Sequence, residues 1–139
     1  LEDDQKDLEK DKKNLQEDIV NYKNKITKAE KDITVKDGEI EKKKAEVNVQ
    51  KKVVDASSDA VSEQARSSKK IYEKLQNQLE DLEKDRKNLK DDVTDNNKKI
   101  KKAEEDIKKN EDAQVKKKEE IEKQKTNVAN AKKKLEGVN

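Results

Sequence analysis

The 139-residue chain contains no Cys, His, Met, Trp, Phe or Pro, and its aromatic residues are Tyr22 and Tyr72 alone. Each absence excludes something. Without Cys there are no disulfides, no thiolate catalysis and no zinc-finger chemistry. Without His the commonest general base is missing. Only 27% of the residues are hydrophobic, against about half in an ordinary globular domain, so a broad aromatic-filled core is excluded. No apolar run approaches the roughly 20 residues needed to span a bilayer as a helix. The acidic opening LEDDQKDLEK resembles neither a signal nor a transit peptide, and the lack of an initiator Met leans the expectation toward a secreted or processed chain.

What is present is charge, which makes up 50% of the chain. The 36 basic and 34 acidic residues nearly cancel, so no strong global field selects a polyanionic partner. This composition suits either a long helical protein or a disordered polyampholyte. Periodicity decides between them.

The block DLEKDKKNL at 7–15 returns as DLEKDRKNL at 81–89, an offset of 74. KITKAEKDI at 25–33 returns as KIKKAEEDI at 99–107. The chain therefore reads as two tandem repeats, 1–65 and 75–139. Within the first copy Ile19, Ile26, Ile33, Ile40, Val47 and Val54 stand seven apart, and Leu8 and Leu15 open a second column. The second copy places Leu82, Leu89, Val93, Ile100, Ile107, Ile121, Val128 and Leu135 in the same two columns. These are the a and d positions of a heptad, with β-branched residues at a and Leu at d in the N-terminal part. They form the expected helix-pairing seam. A stripe this narrow does not hold a helix in isolation, so each helix needs a partner.

Polar residues interrupt both columns. Lys36, Lys43, Gln50 and Ser57 occupy d in the first copy, and Asn110, Lys117 and Gln124 occupy it in the second; Lys12 and Arg86 occupy a. Long basic stems can snorkel off a half-buried seam. Alternatively, polar seam residues penalise wrong registers.

Two places offer a turn. Gly38 sits at the midpoint of the first copy, yet the heptad passes through it in phase. The segment DASSDAVSEQARSS, residues 55–68, is Ser-rich and the heptad slips there by four residues. The reading is an all-α, elongated antiparallel coiled-coil hairpin of two long duplicated helices, one domain over 1–139 with a Ser-rich joint at 55–68. The alternatives are a four-helix bundle turning near residues 37, 70 and 111, and a continuous helix in a coiled-coil dimer.

Catalysis finds no foothold in the sequence, because no Ser has a His to activate it. Glu9–Lys13, Glu39–Lys43, Glu80–Lys84 and Glu119–Lys123 have the favourable i,i+4 order on a helix, which reads as solvated and paired rather than tuned for chemistry. The Asp pairs at 3–4 and 91–92 lack the spacing of a calcium loop. No catalytic residue, metal ligand or cofactor is expected. KKK at 42–44, 116–118 and 132–134 raises nucleic acid as a partner, but no aromatic interleaves these runs and acids interrupt them. A lipid surface is disfavoured by the thin, unanchored stripe. The expectation is a non-enzymatic structural or protein-interaction protein, a spacer or scaffold that meets a protein partner or itself through helix faces. The alternative is a binder of lipid surfaces or polyanions through its Lys-rich faces.

Overall fold

The computed structural model describes residues 1–57 and 62–138. Two helices account for nearly all of them: α1 (Glu2–Asp55) and α2 (Glu63–Val138). Their Lys, Glu, Leu, Ala and Gln content favours helix, and no Pro interrupts it. Glu2, Asp3 and Asp4 place negative charge in the first turn of α1, and Lys52 places positive charge in its last, both favourable against the helix dipole.

The helix ends are made by serines. Ser57 closes α1 with an N–H bond to the Val54 carbonyl at 3.1 Å and a hydroxyl bond to the Val53 carbonyl at 3.2 Å. Ser62 caps α2 by accepting the Ala65 N–H at 3.1 Å, satisfying a donor that the first turn leaves open.

The joint is thus shorter than the Ser-rich segment suggested. Asp55 belongs to α1, and 63–68 belong to α2, where Glu63, Gln64 and Ala65 outweigh the nearby serines. The reading that falls on 58–61, including Val61, lies outside the described residues.

The two long helices pack against each other as an all-α hairpin. Their contacts run antiparallel: Lys12 meets Glu111, Lys36 meets Asp85, and Gln50 meets Ser68. Residues 37 and 111 lie inside α1 and α2, and residue 70 lies inside α2, which overturns the four-helix bundle. Gly38 is ordinary helix, with positive φ at no described residue. That α1 ends at Asp55 and α2 begins at Glu63 overturns the continuous helix.

By contacts the chain divides into two compact units, and the division cuts across both helices. The first joins Leu1–Lys23 to Asn97–Asn139, and the second is Asn24–Asn96. Ile19 and Ala103 are buried in the first; Ala29, Ile40 and Ala65 are buried in the second. No described side chain is fully enclosed, as expected of two helices with a two-column stripe between them.

Candidate functional site

The seam is the feature on which a function can be built. On α1, Ile19 and Ile40 are buried, and Leu8, Leu15, Ile26, Ile33, Val47 and Val54 are half-buried. On α2, Leu82, Leu89, Val93, Ile100, Ile107 and Ile121 are half-buried. Val128 and Leu135 depart from the expectation, at 54% and 70% exposed. They keep the heptad phase, yet they stand in a stretch, residues 122–137, that is exposed throughout.

Small residues let the helices approach. Ala29, Ala65 and Ala103 are among the most buried positions, at 7%, 8% and 6% exposure. Sequence reasoning aligned Ala29 with Ala103 and put Ala29 in the second column, but counted neither among the expected seam residues. Their place in the d column was the available signal.

A polar chain crosses the first unit. Asn110 Nδ2 donates to the Leu8 carbonyl at 2.9 Å, and Gln114 Nε2 donates to Asn110 Oδ1 at 2.7 Å. Gln5 Nε2 in turn reaches Gln114 Oε1 at 3.4 Å. Asn110 is 9% exposed, the one buried polar residue among those described. Gln5 and Gln114 both lie seven residues before a seam position, a signal hidden by their polarity. Gln5 Oε1 is buried without a hydrogen-bond partner, which carries a local cost.

The basic seam residues are held at their ends by carboxylates. In the first unit Lys12 Nζ pairs with Glu111 at 3.3 Å, and Lys117 Nζ pairs with Asp4 at 3.3 Å and Glu120 at 3.6 Å. In the second, Arg86 pairs with Asp37, and Lys36 reaches Glu39 at 3.3 Å and Asp85 at 3.6 Å. Lys43 meets Glu46 at 2.9 Å and the Gln78 side-chain carbonyl at 3.1 Å. The Lys12–Glu111 and Arg86–Asp37 contacts fall on positions that correspond at the offset of 74. So do Lys117–Asp4 and Lys43–Gln78.

The ionisation of these groups follows from their bonds. Hydrogen bonding to Glu39 raises Lys36, and hydrogen bonding to Asp4 raises Lys117, both above the ordinary 10.5. The Lys43 ammonium lowers Glu46 below 4.5. All three are stabilised in the charged form, as in solvated ion pairs. Lys99 also stands over the Tyr22 ring, 5.9 Å from its centroid, a favourable cation–π placement.

Among the described residues no group of three or more acidic side chains is placed to hold a metal ion. Among the described residues no helix is long and apolar enough to cross a membrane. The concavities are surface grooves. One of about 570 Å³ is lined by Leu1, Glu2, Asp3, Ile121, Gln124, Lys125 and Val128, where the seam leaves α1 behind. Another of about 390 Å³ lies between Val35 and Leu89. No protein-family model matches the chain, and neither a curated protein nor a solved structure matches it.

Proposed function

We propose that the protein is a non-enzymatic coiled-coil spacer or scaffold that engages a protein partner, or itself, through helix faces. The observation that carries this reading is the heptad seam along α1 and α2, which turns Ile19, Ile40 and the half-buried aliphatics of the same columns to helix pairing and leaves most charged residues on exposed faces. Carboxylates near the seam are spent on lysines and on Arg86: Asp4, Asp37, Glu39, Glu46, Asp85 and Glu111 all have cationic partners. Paired, solvated carboxylates lack the desolvation that tunes a general acid or base. The internal duplication fits the same reading, since it supplies two helices with matching stripes.

A second reading, binding to lipid surfaces or polyanions, draws on the Lys runs at 42–44 and 132–134. It is weakened at the seam, where Lys36, Lys43 and Lys117 are already neutralised. Co-sedimentation with anionic vesicles and a DNA mobility shift, both at physiological salt, separate the two. The scaffold reading expects neither to be bound. Tight, salt-resistant binding to either would replace it with the second.

A further inference from the structure

We propose that Val49, Val53 and Ile71, in the second unit near the end of α1 and the start of α2, form a docking face for a helix of another protein whose aliphatic stripe is flanked by Asp and Glu. The proposal rests on the protein-interaction reading and names the surface and the partner chemistry.

The three side chains share one flank of the helix pair. Val53 directly precedes Val54 of the a column, and Ile71 directly precedes Tyr72, which falls in the same column as Val93. Both are therefore g positions, and in an antiparallel pair the g positions of the two helices border the seam on the same side. Gln50 Nε2 donates to the Ser68 carbonyl at 2.9 Å, and Lys43 Nζ donates to the Gln78 side chain at 3.1 Å. Ile71 thus stands level with the turn of α1 that carries Val49, which lies one turn before Val53 on that flank. All three are exposed. Single exposed aliphatics are ordinary, but g positions beside a seam usually carry charge. The furrow between two packed helices is where the side-chain row of a third one fits.

The seam does not require these residues. At the offset of 74, Lys123 and Asn127 stand where Val49 and Val53 stand, and Glu119 stands where Ala45 stands. Both copies carry the a and d columns, and only the first is apolar on this flank.

Charge selects the occupant. Residues 42–57 and 62–76 carry nine basic and four acidic side chains. Lys52, Lys70 and Lys74, on the outer faces beside the three aliphatics, are exposed, and no ion pair holds them among the described residues. Glu46, the carboxylate on the same flank, is already taken by Lys43 at 2.9 Å. An aliphatic centre rimmed by free cations suits a helix that brings carboxylates to the rim. A second copy of the face would set lysine against lysine, which disfavours self-pairing. No Trp, Phe or Leu on the face anchors it in a lipid surface.

The test uses the full chain and a synthetic helical peptide with a Leu and Ile stripe flanked by Glu. A control peptide carries Lys at the flanking positions. Binding is followed by calorimetry at physiological salt. The Glu peptide binds and the Lys peptide does not. The double variant Val49→Lys with Val53→Asn, which installs the residues of the second copy, weakens binding by roughly tenfold or more through lost apolar contact. Its melting curve stays that of the parent chain, since both side chains are exposed. Lys70→Glu with Lys74→Glu transfers the preference to the Lys peptide. Equal binding of both peptides would overturn the proposal. So would binding that Val49→Lys with Val53→Asn strengthens, which would reduce the contact to charge alone, or a chain that sediments as a dimer dissociated by that variant. If neither peptide binds while vesicles and DNA also stay unbound, this inference fails alone. Tight vesicle or DNA binding lost in Lys70→Glu with Lys74→Glu would overturn the parent reading with it.

Discussion

Asn110 Nδ2 donates a 2.9 Å hydrogen bond to the main-chain carbonyl of Leu8, which lies 102 positions earlier in the chain. A buried amide in an aliphatic seam costs stability, but it is satisfied only in one alignment of the helices. Asn110→Leu should therefore raise the melting temperature while loosening register, seen as a broadened distribution in sedimentation velocity. A lower melting temperature would mean that the polar chain through Gln114 and Gln5 is a net source of stability.

Burial along the seam predicts unequal sensitivity. Ile40 is 5% exposed, and Ile40→Ala should cost about 2–4 kcal/mol, through lost apolar contact and a residual cavity. Val128 is 54% exposed, and Val128→Ala should cost less than about 0.5 kcal/mol. Thermal circular dichroism on both variants checks the contrast. Equal losses would mean that α2 is paired beyond Ile121.

Gly38 offers a gain. An added Cβ meets nothing within 4 Å, and the residue sits inside α1 without positive φ. Gly38→Ala should stabilise the hairpin by up to about 1 kcal/mol, by removing a poor helix former. Denaturant midpoints measure it, and a destabilised variant would place a turn at this position.

The cap on α2 has a comparable value of opposite sign. Ser62→Ala removes the acceptor for the Ala65 N–H and should cost about 1 kcal/mol. Ser62→Asp should restore most of the loss, since a carboxylate accepts the same bond and suits the helix dipole.

The pH dependence follows from the shifted groups. Glu46 is lowered below 4.5 by Lys43, so its contribution is present above about pH 4.5 and is lost as pH falls through the folded-state value. Lys117 and Lys36 are raised above 10.5 by their carboxylate partners. Their contribution is complete below about pH 10.5 and is lost as pH rises through the folded-state values. Melting temperature should be nearly flat between these limits and fall at both ends. Lys117→Gln should lessen the alkaline limb, leaving the part that Lys36 carries, and leave the acidic one unchanged.

The two columns were legible because a seven-residue period at fixed positions has one geometric meaning, and Ile19, Ile40 and Ala103 lie where it puts them. The joint was legible to within a few residues. Serines mark both helix ends, but Ser67 and Ser68 are helical, because propensity summed over 63–68 outweighs single residues. The extent of pairing was not legible. Val128 and Leu135 carry the same pattern as Val54, and whether a helix lies opposite depends on where the chain reverses. Nor was the Asn110–Gln114–Gln5 chain, since Asn110 read as an interruption of the d column and nothing linked it to Gln5 and Gln114 until the antiparallel alignment brings the three amides together.

The scarcity of aromatics has an experimental consequence. With no Trp, ultraviolet-excited emission comes from two fluorophores, and each compact unit holds one: Tyr22 lies with Leu1–Lys23, and Tyr72 lies within Asn24–Asn96. Both rings are half-buried, so their emission responds to loss of packing around them. Replacing either by Phe silences one reporter while keeping a ring in place. The remaining signal then follows the melting of a single unit, so a pair of one-residue variants tells whether the hairpin opens in one step or from one end.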